Sequence, residues 1–239
     1  LKIIILGDSI AAGLGVQGKS YADLLGDMGH SVFNFSKSAM QINESLEVLK
    51  TKTIDNIDLV IIAHGITEAI IRPKQAYLKY LPSRWRRAGW MDPRPYYSKR
   101  WHKKWIQKVE SAIRWRIKNF LIVLYGGRSY QTRNDFYDHY KQLINLIMEG
   151  SQANILVLSH CGIDEHFYPG SAESLNSFYD ETKVLSNSRI YNLDLTQVCN
   201  KWEDFLEDHF HPNSSGHKKI FKEIADSLPK CETVNFKAN

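Results

Sequence analysis

Lys2-Ile3-Ile4-Ile5-Leu6-Gly7-Asp8-Ser9-Ile10 opens the chain with an apolar run that breaks at once into a small, polar turn. A short run without alternation, followed by turn residues, reads as a strand buried on both faces, as in a parallel sheet. Similar runs recur at 31–35, 57–63, 154–159 and 189–193. Helical patterns lie between most of them. Leu46 and Leu49 share a face over Gln41–Thr53, Phe136, Tyr140, Leu143, Ile144 and Ile147 share one over Asn134–Met148, and a last helix is predicted from Asn213 to about Leu228. Strands alternating with helices predict a doubly wound α/β sheet of five parallel strands. Functional residues of such sheets gather outside the carboxyl ends of the strands, where Ser9, Gly65 to Glu68 and His160 fall.

With 239 residues, 43% of them hydrophobic, the chain can bury one sizeable core, and one domain over 1–239 with an insertion at about 71–131 is expected. No run of eighteen apolar residues occurs, so no transmembrane segment is predicted. Any targeting segment would lie outside this stretch of chain. Cys161, Cys199 and Cys231 are odd in number and widely spaced, which argues against a disulfide framework or a zinc site and for a reducing, cytoplasmic location.

The net charge of +5 is unevenly spread. Residues 71–120 carry fifteen Lys and Arg against Asp92 and Glu110, a net +13, which leaves −8 on the remainder. Five of the six tryptophans, at 85, 90, 101, 105 and 115, lie in the same insertion. Part of it is predicted helical. Ser98 can cap that helix, and Trp101, Trp105, Val109, Ala112 and Ile113 recur as a stripe expected to pack on the core. Arg84, Trp85, Arg86, Arg87, Trp90 and Arg94 stand among prolines and are not helical, so they are candidates for a substrate-covering element. Arginines fork onto carboxylates or phosphates, and aromatics stack on sugar rings or apolar chains. No nucleic-acid-reading motif accompanies them, and nucleic acid is not an expected partner.

About two hundred residues after Ser9 the chain reads Asp208-His209-Phe210-His211-Pro212-Asn213. A serine hydroxyl is a weak nucleophile at neutral pH and needs a base within reach and a third group to orient that base. Ser9, His211 and Asp208 supply these parts. The Gly-Asp-Ser-Ile block at one end and the Asp-x-x-His-Pro-Asn block at the other resemble the first and last blocks of the SGNH (GDSL) hydrolases. That resemblance implies a flavodoxin-like, three-layer α/β/α fold, and esterase or acyl-transfer chemistry with no cofactor. It also implies an oxyanion hole from the serine amide, a glycine amide after the second strand and an asparagine after the third. Here Ala39 stands at the glycine position and Thr67, within Gly65-Ile66-Thr67-Glu68, at the asparagine position. Thr67 can donate one hydrogen bond or can simply cap a helix. Ser9 too could be no more than a cap.

Two other motifs compete. Asp208, His209, His211 and His217 could be taken for a metal cluster, but no cysteine or second acidic cluster joins them, and no metal is expected. Gly13-Leu14-Gly15-Val16-Gln17-Gly18-Lys19-Ser20 matches a phosphate loop, yet Gly7 to Ala12 separate it from the strand, whereas such a loop leaves its strand directly. The glycines are expected to shape a loop beside Ser9.

The sequence therefore predicts a serine esterase acting on an O-acyl group, O-acetyl in the first instance, of a small-molecule or glycan ester of anionic character. An acyltransferase toward a sugar acceptor, or a lysophospholipase or thioesterase, uses the same relay. A phosphate-loop nucleotide-binding protein and a non-catalytic glycan-binding module are the remaining alternatives.

Overall fold

The computed structural model describes the backbone of residues 1–232 apart from 88 and 186, and side chains as far as residue 228, so the Cys231 thiol lies outside the described residues. Strands β1 (Lys2–Gly7), β2 (Ser31–Asn34) and β3 (Leu59–Ala63) alternate with helices α1 (Tyr21–Asp27) and α2 (Ile42–Lys50). The one-turn helix α3 (Ile66–Ala69) follows β3, and then comes a long excursion. It comprises β4 (Arg72–Pro73), α4 (Gln75–Leu78), a 3₁₀ turn at Ser83–Arg86, α5 (Trp101–Tyr125) and β5 (Gly127–Arg128). The chain returns through α6 (Arg133–Gly150), β6 (Asn154–Leu158), α7 (Ser171–Lys183), β7 (Ile190–Leu193) and α8 (Ser214–Glu232).

The main sheet has the order β2-β1-β3-β6-β7 and is parallel throughout. Its side chains alternate between two cores, as the strand pleat requires. Ile4, Leu6, Val60, Ile62, Ile155 and Val157 meet α2, α6 and α7 on one face. Ile3, Ile5, Leu59, Ile61, Leu156 and Leu158 meet α1 and α8 on the other. The result is the three-layer α/β/α sandwich. β1 has β2 on one side and β3 on the other, so the chain switches direction across the sheet at the end of β1, where a crevice opens.

The excursion between β3 and β6 is closed at its base by an antiparallel pair, Arg72 opposite Arg128 and Pro73 opposite Gly127. Its main helix differs from the expected one. Ser98 does not cap α5: the cap position is Arg100, and the Ser98 hydroxyl accepts from the Arg100 amide before the helix begins. The predicted apolar stripe also faces the wrong way for core packing. Trp101, Trp105, Val109 and Ile113 are exposed, and the inner face is Ser111, Arg114, Lys118 and Ile122. Polar bonds hold that inner face. Lys118 donates to Asp92 Oδ1 (3.0 Å) and the Phe167 carbonyl (2.8 Å), and Arg114 donates to the Trp90 carbonyl. Helical periodicity locates a stripe but cannot say which face of an inserted helix meets the protein. Among the described residues no helix is long and apolar enough to cross a membrane.

Candidate active site

Ser9 is placed by a turn that only glycine permits at its base. A Cβ on Gly7 would sit 2.6 Å from the Ala11 side chain and 2.9 Å from the Ala63 carbonyl, so the small residue lets residues 8–12 fold back over β3. The Asp8 carboxylate ties this turn down: Oδ1 accepts from the Ile10 amide (3.0 Å) and Oδ2 from the Thr67 hydroxyl (2.9 Å). Burial pushes the Asp8 carboxyl above its usual range, and those two donors hold it partly back. Ser9 caps no helix. The cap of α1 is Ser20, in a capping box with Asp23.

His211 reaches Ser9 from the loop before α8. Its Nε2 lies 2.8 Å from Ser9 Oγ, and its Nδ1 makes a short hydrogen bond to Asp208 Oδ2. Asp208 Oδ1 accepts from the amides of Phe210 (3.2 Å) and His211 (3.1 Å), which fixes the carboxylate against its own loop. All three side chains are buried. With Nδ1–H directed at a carboxylate, the Nε2 lone pair faces the serine hydroxyl, as general-base action requires. Asn213 locks the loop. Its Oδ1 accepts from the amides of Ser215 and Gly216 at the start of α8, and its Nδ2 donates to the carbonyls of Glu203 and Phe205. The structure thus brings together three residues that lie 202 positions apart at the extremes.

Ala39 lies on the same cleft with φ of +56°, in the left-handed region that glycine adopts freely and alanine does not. Within the described residues neither the Ser9 amide nor the Ala39 amide donates a hydrogen bond, so both remain available to a ligand. Thr67 differs from both sequence expectations. The cap of α3 is Gly65, and the single hydroxyl proton of Thr67 is directed at Asp8 rather than into the cleft.

The cleft over Ser9 is lined by the Trp90–Pro95 loop of the insertion together with Arg72, Tyr168 and Phe210. A second cleft adjoins it and shares Arg72, Gly89 and Asp92 as a common wall. Trp85, Arg86, Arg87, Lys118 and Arg128 line this second space. Burial alone would raise the Asp92 carboxyl, but Lys118 and Arg72 outweigh it and hold the group below its usual range. Three donors on the wall of the cleft over Ser9 are buried without a hydrogen bond: Arg72 Nε, Trp90 Nε1 and Tyr168 Oη. Of the predicted binding residues, Trp85, Arg86, Arg87 and Trp90 therefore reach the clefts. Arg84 and Arg94 are drawn instead onto Glu110, at 2.7 and 3.8 Å.

No protein-family model matches the chain, and no curated protein sequence matches it. Solved structures do. A lipase from a goat rumen metagenome superposes with a TM-score of 0.56 at 16% identity, over 95% of this chain and 97% of that one. A psychrotrophic esterase from Pseudoalteromonas, in a structure inhibited by monoethylphosphonate, gives 0.55 at 16%, over 96% and 97%. A member of the lipolytic G-D-S-L family from Veillonella parvula gives 0.58 at 11%, over 95% and 98%. The chain has the G-D-S-L hydrolase fold.

Sequence reasoning missed Arg72, Lys118, Arg128 and Tyr168. Arg72 stands three residues after α3 ends at Ala69, near the carboxyl edge of the sheet, which is a positional signal; Lys118 and Arg128 carried none. The glycine-rich decoy also resolves locally: Lys19 pairs with Asp27, and Gly13, Gly15 and Gly18 take positive φ in the loop that follows Ser9.

Proposed function

We propose that the protein is a serine esterase in which Ser9 is the nucleophile, His211 the general base and acid, and Asp208 the group that orients the imidazole. The 2.8 Å contact between His211 Nε2 and Ser9 Oγ, backed by Asp208 on the other ring nitrogen, carries this reading. Ser9 Oγ attacks the ester carbonyl carbon as Nε2 takes its proton, and the oxyanion forms beside the Ser9 and Ala39 amides. Collapse breaks the bond to the alkoxy oxygen, which receives the proton from His211 and leaves as the alcohol. Water, deprotonated by the same nitrogen, then attacks the acyl-serine and releases the carboxylic acid. A sugar hydroxyl in place of that water makes the same protein an acyltransferase.

The substrate that fits best is an O-acyl, and in particular O-acetyl, ester of an anionic carbohydrate. The three wall donors left without a hydrogen bond favour a ligand rich in acceptor oxygens. The second cleft sets five cations against Asp92 and can hold an acidic group beside the cleft over Ser9, with which it shares a wall. A panel of acyl esters with products identified by mass spectrometry, run with and without a sugar acceptor, tests this. Release of acetate from an anionic acetylated glycan by wild type but not by Ser9→Ala supports the esterase, and transfer to the acceptor supports the rival. Turnover that survives Ser9→Ala contradicts both.

A further inference from the structure

The face of α5 that meets the protein is polar and the face that meets solvent is apolar, the reverse of an ordinary surface helix. At 100° per residue Trp105, Val109, Ile113, Phe120 and Val123 fall on one arc, opposite the inward Ser111, Arg114 and Lys118. Trp101, Trp105 and Val123 are 77%, 68% and 75% exposed, and Ile106 and Leu124 widen the arc on one side. His102 and Arg116 interrupt this strip, the Arg116 guanidinium folding back onto the Ala112 carbonyl (3.0 Å) and the Trp115 ring, and an exposed apolar strip of this length is not left in water without a use. Its surroundings say what covers it. Lys99, Arg100, Lys103 and Lys104 cluster at the start of the helix, with no acid in its first turn and no ion-pair partner among the described residues. Cations there oppose the helix dipole, so this end is short of negative charge. The helix's one carboxylate, Glu110, is already held by Arg84 and Arg94. A second copy of the same face would bring like charges together with nothing to neutralise them.

We propose that α5 is a membrane-surface helix that lies in the interface of an anionic lipid bilayer, its aromatic and aliphatic strip among the acyl chains and its amino-terminal cations on lipid headgroups. Such docking would leave the clefts on the opposite, polar side of the helix, since Lys118 and Asp92 lie there. The proposal stands apart from the ester chemistry and survives its failure.

Vesicle co-sedimentation of the full chain tests it. Vesicles of equal parts phosphatidylcholine and phosphatidylglycerol should retain the protein, and vesicles of phosphatidylcholine alone should retain it far less. Trp105→Gln, Ile113→Gln and Val123→Gln together should abolish retention without lowering the melting temperature, because all three side chains are exposed. Lys99→Gln, Arg100→Gln, Lys103→Gln and Lys104→Gln together should weaken partitioning on the order of a hundredfold, and added salt should do likewise. The proposal is overturned by absence of retention, by equal retention on neutral vesicles, or by retention indifferent to the apolar substitutions. It is also overturned if sedimentation equilibrium without lipid shows a dimer that those substitutions dissociate, which would make the face a subunit contact.

Discussion

The Thr67 hydroxyl donates to Asp8 Oδ2 across 2.9 Å, tying the start of α3 to the turn that carries Ser9. The bond is buried, and the Asp8 carboxylate is held besides by the Ile10 amide at its other oxygen and by the Thr67 amide. Thr67→Val should therefore act first on stability, lowering it by about 1–3 kcal/mol, as loss of a buried donor to a charged acceptor does. Turnover should fall by less than about tenfold, far below the loss expected for removal of an oxyanion donor. Urea unfolding beside steady-state kinetics separates the two. A kcat loss of two orders with unchanged stability would mean that the hydroxyl turns into the cleft during the reaction.

Ala39 gives a prediction of the opposite sign. Its φ of +56° costs an alanine more than a glycine, so Ala39→Gly should stabilise the protein by about 0.5–1 kcal/mol, after the greater freedom of glycine in the unfolded chain is counted against it. The amide is retained, and kcat/KM should stay within about a factor of two or three of wild type. Destabilisation on Ala39→Gly would show that the alanine methyl contributes packing that outweighs the backbone strain.

Acid sensitivity follows from buried imidazoles. Burial pushes His217 from 6.5 down to about 4 and His64 down to about 3. A folded pKa below the unfolded one means that the unfolded chain binds more protons in between, so this stability is present above about 6.5 and is lost as pH falls. Glu68 works the other way: burial raises it from 4.5 to about 7, so its contribution is lost as pH rises through that window. His217→Asn isolates one term, because an amide oxygen can still accept from the Tyr21 amide now 3.3 Å from His217 Nδ1. Relative to wild type the variant should gain about 2 kcal/mol between about pH 7 and pH 5. A difference that does not move with pH would place the acid loss elsewhere.

The second cleft predicts a substrate-dependent effect. Arg87→Gln with Arg128→Gln should lower kcat/KM for an anionic acylated glycan by about tenfold or more, while a small neutral ester such as p-nitrophenyl acetate loses little. Neither side chain forms an ion pair among the described residues, so the change should leave the fold intact. Equal losses on both substrates would reduce the insertion to a scaffold.

The chain order of apolar runs made the sheet legible, because β1, β3 and β6 are buried on both faces and need no partner information to be recognised, while the edge strands β2 and β7 are more exposed than their runs suggest. The proposed relay could be read for a different reason: Asp208 and His211 sit three residues apart, and the turn after β1 presents Ser9. What could not be read was anything set by how the insertion docks. Arg84 and Arg94 look like binding arginines until Glu110 is seen between them, and Arg72 and Arg128, far apart in sequence, meet only through the β4–β5 pair. The stripe of α5 was found by period but assigned to the wrong side, since Lys118 and Arg114 find buried partners that no local pattern announces.

Asp208→Asn should lower kcat by about three to four orders of magnitude, because an amide facing His211 Nδ1 favours the wrong tautomer. The measurement that bears most directly on the relay is covalent labelling. A fluorophosphonate probe followed by peptide mapping should place one phosphonyl group on Ser9 of the wild type. His211→Gln should slow the labelling at least a thousandfold or so, as loss of the base requires. Label on Cys161, Cys199 or another serine, or labelling of Ser9 that is indifferent to His211, would contradict the account.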